Sequence, residues 1–309
     1  MARARYGEVF RALSVGAEAR RRVSAGGIGV VHTAFHGCVN VMTSGGLVCL
    51  LGSSAGRGPL YINLPGPVEG FSRVRPGDPV LLSAKGLEMG DVCIDLTGAE
   101  SYAPGLTFAA PVVSPQGLLA NIQTARRAVN DGGSLAGMGV IIQSDVENEV
   151  QSGSFSNSFA NLARARSARF IEELASGSLL DSSRAAEEFA GLGPGLTPAS
   201  DDFICGAVLA LVLGSHNGFG RGSARDIARQ VAQSAGRRTT ALSREFLTLA
   251  SEGMAGDRAM EAVESLYCGS PSDVVDRFTQ LLKVGHTSGT DFAIGMILEV
   301  ESALKAGGA

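Results

Sequence analysis

The spacing of hydrophobic and polar positions changes about one third of the way along the chain. Between residues 26 and 110, short apolar stretches at 30–42, 47–51, 61–64, 80–83 and 92–96 are separated by clusters of glycine and proline. Short strands separated by turn signals at such close intervals are typical of a small antiparallel sheet or barrel. The pattern therefore predicts a β-rich domain over residues 1–112.

From about residue 116 onwards, the apolar positions repeat with the period of an α-helix. The first such stretch has its apolar residues at 118, 122, 125 and 129 and ends at Gly132 and Gly133. Further helices are predicted over about 158–176, after Ser272 as a cap, and over about 289–305. The sequence thus predicts an α+β protein in which a mostly α-helical domain, residues 113–309, follows the β-rich domain.

Composition restricts the class of protein further. The chain has 309 residues, 45% hydrophobic and 18% charged, which is enough to form two folded domains. Its formal net charge is −4 and it has no long basic run, so we expect no nucleic-acid partner. The longest uncharged apolar run covers residues 203–213, fewer than the roughly 20 residues that cross a bilayer. Without a signal-peptide pattern, and with five scattered cysteines, we expect a cytoplasmic protein with no membrane partner.

Two short segments of the helical part resemble each other. Residues 195–202 read GLTPASDD and residues 285–291 read GHTSGTD, so that alignment at the first glycine matches a Gly, a Thr and an Asp. Thr197 is predicted to cap a helix, with Pro198 at the first helical position. The free N–H groups of such a helix start favour a small anion.

Carboxylates at the same helix starts point to other chemistry. Asp201, Asp202 and Asp291 would occupy the positive helix ends themselves, and they suit a divalent cation, an ammonium or amide donor, or acid–base catalysis. His286 lies in the glycine-bounded loop before the second helix. These four residues are the candidate catalytic residues, although simple helix capping explains the same pattern.

A third segment, residues 236–244 (GRRTTALSR), combines arginines with hydroxyl groups near a predicted helix start. Such a group can hold a carboxylate or a phosphate, whereas the alternative is a solvated arginine pair ahead of a capped helix. If the three segments form one site, they must converge in space. The candidate substrate-binding residues are Gly193, Gly195, Thr197, Arg237, Arg238, Thr239, Thr240, Ser243, Thr287 and Ser288.

Two patterns in the β-rich part favour structural roles. His32 and His36 point to the same side of a predicted strand, but no third metal ligand lies near them in the sequence. The glycine-rich stretch 52–58 does not have the spacing of a phosphate-binding or dinucleotide-binding loop, so a hairpin loop is expected there.

The three motif segments resemble a known bacterial family. The stretches GLGPGLTPASDDF (191–203), RTTALS (238–243) and GHTSGTD (285–291) are similar to the AllH-type family. Its named member is associated with oxamate carbamoyltransferase in allantoin degradation, a branch of purine catabolism. RPGDP (75–79) and IDLTGA (94–99) extend the resemblance loosely into the β-rich part. Ala199 and Ser200 depart from the family's pattern, which has Ser-Gly before the aspartates.

The resemblance implies a subunit of a carbamoyltransferase complex that acts on carbamoyl phosphate and an oxamate-like small acid. It implies a small anionic substrate and other subunits as partners, and a homo-oligomer is also compatible with it. Two alternatives stay open. A Mg²⁺-dependent hydrolase or phosphate-processing enzyme would use the three aspartates as metal ligands, and a non-catalytic assembly subunit would use the motifs for packing alone.

Overall fold

A computed structural model describes residues 7–35, 37–66, 69–142, 154–220 and 222–307. The chain divides into two compact units, Met1–Pro104 and Gly105–Ala309. The first contains a single β-sheet and the second consists of helices, each with a hydrophobic core of its own. The predicted α+β class, with a β-rich part followed by a helical part, is confirmed.

Within the described residues, the sheet of the first unit has ten strands. They are β1 (Glu8–Arg11), β2 (Ser14–Gly16), β3 (Gly27–Phe35), β4 (Cys38–Thr43), β5 (Gly46–Gly52), β6 (Tyr61–Leu64), β7 (Pro79–Ser83), β8 (Gly86–Met89), β9 (Val92–Asp95) and β10 (Glu100–Tyr102). Their order is β1-β9-β8-β7-β3-β4-β5-β6-β2-β10. Helix α1 (Ala17–Ser24) lies between β2 and β3 in the chain and buries Ala19 and Val23.

The sheet is mixed, whereas the turn pattern predicts antiparallel pairing. Strands β3, β4 and β5 form antiparallel pairs, but β5 pairs with β6, β1 with β9 and β2 with β10 in parallel. Strands β1, β2, β8 and β10 have only three or four residues each, too few for an alternating pattern to stand out in the sequence. The stretch 30–42 falls in two strands, because the chain turns between Phe35 and Cys38.

The helical unit contains ten helices among its described residues. They are α2 (Pro115–Gly132), α3 (Gly139–Ile142), α4 (Ser154–Ser176), α5 (Leu179–Phe189), α6 (Ala199–His216), α7 (Ala224–Gly236), α8 (Ala241–Ser251), α9 (Asp257–Cys268), α10 (Pro271–Leu281) and α11 (Ser288–Gly307). The helices predicted over 158–176 and 289–305 lie within α4 and α11.

Helix α10 begins earlier than predicted. Ser270, not Ser272, is its cap, and its hydroxyl accepts a hydrogen bond from the backbone N–H of Asp273. The Asp273 carboxylate accepts in return from the backbone N–H of Ser270, which completes a capping box. Pro271 occupies the first helical turn, where its missing N–H has no cost.

Helices α6 and α11 cross at the centre of the helical unit. A Cβ added at Gly206 of α6 would lie 2.0 Å from the carbonyl oxygen of Phe292, and one added at Gly295 of α11 would lie 2.0 Å from that of Phe203. Only a hydrogen fits at either position, so the two glycines permit the close approach. By length and composition α6 qualifies as a membrane-spanning helix, but 89% of it is buried inside the unit, as in the core helix of a globular domain.

Candidate functional site

The crossing of α6 and α11 reveals how the two similar segments correspond. Gly206 contacts the backbone of Phe292, and Gly295 contacts the backbone of Phe203 in the same way. In both helices the pattern is Asp-Phe-x-x-Gly, starting at Asp202 and at Asp291. The structural counterpart of Asp291 is therefore Asp202. The sequence alignment at the first glycine, which matches Asp291 with Asp201, is wrong by one residue.

The start of α6 also differs from the prediction. Pro198 is the N-cap residue, with φ −51° and ψ 143°, and its carbonyl accepts the backbone N–H of Asp201 at 2.9 Å. Thr197 therefore does not cap the helix. Its Oγ1 lies 3.2 Å from the Oγ of Ser288 at the start of α11, so Thr197 joins the two similar segments instead.

Asp201 bonds the first segment to the third. Its buried carboxylate accepts the backbone N–H of Gly191 at 2.8 Å and the hydroxyl of Thr239. Burial raises the pKa of Asp201, and these donors oppose that shift together with the hydroxyls of Ser243 and Ser200. All of these partners belong to the chain itself, so the contacts of Asp201 support a positioning role.

Further hydrogen bonds fix the loop before α6. Ser200 Oγ accepts the backbone N–H of Leu192 at 2.8 Å, and Thr240 Oγ1 donates to the carbonyl of Leu196 at 2.6 Å. Thr240 also caps α8 by accepting the backbone N–H of Ser243 at 3.1 Å. The contacts of Asp201, Thr197 and Thr240 thus bring together the three segments that the sequence predicts to converge.

One carboxyl oxygen of Asp202 is buried without a hydrogen-bond partner among the described residues. The residue is 7% exposed, and its Oδ2 makes no hydrogen bond to the described residues. Burial raises the pKa of Asp202 well above its ordinary value; the hydroxyl of Ser288 opposes this, and the charge of Asp291 adds to it. The carboxyl group therefore lies against the start of α11, close enough to sense the second aspartate.

Asp291 has the same property. It is fully buried; its Oδ1 accepts the backbone N–H of Met138 at 2.6 Å, while its Oδ2 has no hydrogen-bond partner among the described residues. Burial raises its pKa to about 7, against the effect of the Met138 N–H and the Thr287 hydroxyl. A carboxyl group with this pKa exchanges a proton near neutral pH.

A fourth segment, absent from the sequence-based site, completes the surroundings of Asp291. Gly137 has φ +67°, and a Cβ there would lie 2.6 Å from Asp291 Oδ1, so the chain can pass the carboxylate only with glycine at this position. Ser134 donates its backbone N–H to Thr290 Oγ1 at 2.9 Å. The sequence feature that could have indicated this segment is the glycine-rich run GGSLAGMG at 132–139, of which the sequence analysis uses only the first two glycines, as the end of a helix.

Other predicted residues lie further from the carboxylates. Arg237 and Arg238 are both exposed; Arg237 lines a groove of about 890 Å³ along α7 and α8, together with Arg229 and Arg244. The carbonyl of Arg238 packs against Gly191, and its side chain makes no hydrogen bond to another described residue. The two adjacent arginines therefore have different surroundings.

The remaining predicted residues belong to loops. Gly193 and Gly195 adopt φ +116° and +105°, which favours glycine, in the loop before α6. His286 is exposed and makes no hydrogen bond within the part of the chain that the structure describes. In the first unit, His32 is exposed, while His36 lies outside the described residues, so their pairing has no structural description.

The set of three aspartates does not form a single ligand cluster. Across the described ranges, no group of three or more His, Cys, Asp or Glu side chains is placed to hold a metal ion. Asp201 is directed to Gly191 and Thr239, which leaves Asp202 and Asp291 with one unpartnered oxygen each. The arrangement offers two buried acceptors to a ligand that brings hydrogen-bond donors, and a base that titrates near neutral pH.

Comparison with known protein families gives two matches. A family model described as oxamate carbamoyltransferase subunit AllH matches residues 189–300, which include every predicted site residue. A second, described as the AllH family N-terminal domain, matches residues 11–101, which include nearly the whole sheet. Together the matches cover most of the chain. No solved structure matches it.

Proposed function

This chain belongs to the AllH family of oxamate carbamoyltransferase subunits, and we propose that a substrate site of the transferase lies where α6 and α11 begin. A subunit of this enzyme works with other subunits of the complex. The substrates that we assign to the site are carbamoyl phosphate and an oxamate-like acid.

The observation that carries this proposal is a pair of buried oxygens, Asp202 Oδ2 and Asp291 Oδ2, that have no hydrogen-bond partner in the part of the chain that the structure describes. Each buried acceptor without a donor costs about 1–3 kcal/mol of folding free energy. Such a cost is expected where a ligand supplies the missing donors. Carbamoyl phosphate and oxamate both carry an NH₂ group, so both substrates bring the donors that these oxygens lack.

The chemistry of carbamoyl transfer also fits these residues. The amide nitrogen of the acceptor forms a bond to the carbamoyl carbon, and the carbon–oxygen bond to phosphate breaks with its electron pair on the phosphate. The nitrogen loses one proton in the same process. Asp291, with a pKa of about 7, is suited to accept that proton at neutral pH.

Arg238 supplies positive charge at the edge of the site. Its backbone packs against Gly191, whose N–H is bonded to Asp201. Its side chain is exposed and makes no hydrogen bond to another described residue, so it is available to a phosphate or carboxylate oxygen.

A non-catalytic assembly subunit is the second candidate. The observation that favours it is the number of motif side chains bonded within the chain, namely Thr197, Asp201, Thr239 and Thr240. Under this alternative the motifs hold the helices together and the chemistry belongs to another subunit.

Measuring phosphate release from carbamoyl phosphate in the presence of oxamate, with the complex of this chain and its partner subunits, tests the proposal. We expect Asp291→Asn to lower the rate by about 10²–10⁴-fold, the usual contribution of a general base. Arg238→Ala should weaken anion binding by about 10-fold or more. Asp273→Asn, at the α10 cap, is the matched control that should leave the rate unchanged.

Two results would contradict the proposal. If the complex assembles with Asp291→Asn and retains its full rate, the chain is an assembly subunit. The second result is a change in the melting temperature of the purified chain with Mg²⁺ alone, abolished by Asp202→Asn, and no change with carbamoyl phosphate. That result would favour the metal-dependent hydrolase.

A further inference from the structure

The crossing of α6 and α11 leads us to propose that Asp202 and Asp291 together bind one primary amide group, each accepting one of its two N–H bonds. The inference rests on the proposed function, and it specifies which chemical group of the substrate these residues recognise. It identifies the pair as the element that distinguishes an amide from an acid of the same size.

The reciprocal packing places the two aspartates in equivalent positions. Gly206 packs on the carbonyl of Phe292 and Gly295 on that of Phe203, with the same 2.0 Å approach. Each aspartate precedes the contacted phenylalanine by one residue, so each lies at the same point of its helix relative to the crossing. A ligand between them meets one acceptor from each helix, and a primary amide NH₂ group offers two N–H donors.

Each aspartate has one oxygen without a hydrogen-bond partner among the described residues. In Asp291 the Met138 N–H occupies Oδ1, which leaves Oδ2 without a donor. In Asp202 the hydroxyls of Ser288 and Thr197 face the carboxyl group, and Oδ2 likewise makes no hydrogen bond to the described residues. The exposed fractions of these aspartates are only 7% for Asp202 and 0% for Asp291, so bulk water does not readily satisfy either oxygen.

The charge around the pair selects the class of ligand. The main influences on the pKa values of the two aspartates are burial, hydroxyl and backbone donors and, for Asp202, the charges of Asp291 and Asp201. An ionised aspartate of the pair would repel a carboxylate or phosphate oxygen placed between them. A neutral amide instead satisfies both oxygens, which makes oxamate a better ligand than oxalate.

The residues next to Asp202 on the loop side are only partly buried. Thr197 and Ser288 are only partly buried and flank Asp202, and the loops that carry them contain the exposed residues Leu196 and His286. We place the entry of a small ligand at this contact between the loops, because the other sides of α6 and α11 are packed in the helical core.

Titration calorimetry of the full chain tests the inference with three ligands of similar size. Oxamate has two N–H donors, N,N-dimethyloxamate keeps the amide carbonyl without them, and oxalate has a carboxylate in their place. We expect oxamate to bind at least about 10-fold more tightly than either analogue, because two hydrogen bonds to buried carboxyl oxygens are at stake.

Asp291→Asn is the variant that tests the proposed contact most directly. Its side-chain oxygen must take the Met138 N–H, so its NH₂ group replaces Oδ2 and faces the NH₂ of the ligand. We expect this variant, and Asp202→Asn, to lose the preference for oxamate over oxalate. Asp273→Asn should keep it.

Each outcome bears on a different claim. Equal binding of oxamate and oxalate by the unmodified chain overturns the amide inference but leaves the proposed function in place. The absence of binding of oxamate and of carbamoyl phosphate overturns both. Oxamate binding that requires Mg²⁺ and disappears with a chelator, or an undiminished preference for oxamate in Asp291→Asn, also overturns the inference. The ligand comparison on the unmodified chain decides the matter even if a variant fails to fold.

Discussion

The burial of Asp291 predicts a measurable dependence of stability on pH. Its pKa is raised from 3.8 to about 7 in the folded chain. Below pH 4 the carboxyl group is protonated in both the folded and the unfolded state, so it carries no penalty. As pH rises from about 4 to about 7 the unfolded state releases its proton first, and the folded state loses stability over that window.

The size of this effect follows from the shift. A difference of about three pKa units corresponds to about 4 kcal/mol at pH 8, at roughly 1.4 kcal/mol per unit. Asp291→Asn keeps the acceptor for the Met138 N–H and removes the charge. We expect the variant to match the unmodified chain near pH 4 and to exceed its free energy of unfolding by about 3–4 kcal/mol at pH 8. The lower bound allows for the favourable interaction of a carboxylate with the helix start, about 0.3–1 kcal/mol.

Urea denaturation at pH 4.5, 6 and 8, followed by circular dichroism, measures the difference between the two proteins at each pH. Asp201 also has a raised pKa and contributes to the slope in both proteins, so the difference is the informative quantity. The charge of Asp291 raises the pKa of Asp202, so its removal in Asp291→Asn lowers that pKa and adds to the difference in the same direction. Asp273→Asn is a control of opposite sign, because the pKa of Asp273 is lowered by its capping box. A difference for Asp291→Asn that stays constant or falls with rising pH would refute the reasoning.

Four further substitutions test the packing described above. Gly206→Ala should destabilise the chain in thermal denaturation, because overpacking at a 2.0 Å approach costs about 1–3 kcal/mol or more against about 1 kcal/mol of helix propensity. Gly137→Ala should lower the melting temperature and also shift the pH dependence of unfolding, because its Cβ would displace Asp291. Thr239→Val should cost about 1–3 kcal/mol in urea denaturation by removing a donor to buried Asp201. Ser270→Ala should cost about 0.5–2 kcal/mol as the loss of a helix cap; an equal loss in a Ser272→Ala control would argue against Ser270 as the cap.

Much of the fold could be predicted because its signals are local. The change of period near residue 116 marks the passage from strands to helices, since a strand and a helix bury one face with different spacing. Helix α4 and Gly177 after it were predictable for the same reason. Strands of three residues, such as β2 and β10, carry too few positions for any period, and their parallel pairing depends on chain segments far apart in the sequence.

For the candidate site as well, some features could be predicted from the sequence and others could not. The sequence by itself determined which segments bear chemistry, because a hydroxyl, a glycine and a carboxylate at a helix start form a local pattern. Only the tertiary structure decided what each carboxylate does. Thr239 and Gly191 partner Asp201, and Met138 partners Asp291 across 153 residues of sequence.

Only the tertiary structure shows which residue of α6 corresponds to Asp291 of α11. The reciprocal contacts of Gly206 and Gly295 match it with Asp202, although a plausible alignment of the sequence selects Asp201. The physical reason is that adjacent residues of a helix point in different directions. Which of them meets a partner, and which keeps an unsatisfied oxygen, depends on the helices that pack against it, and no local pattern records that.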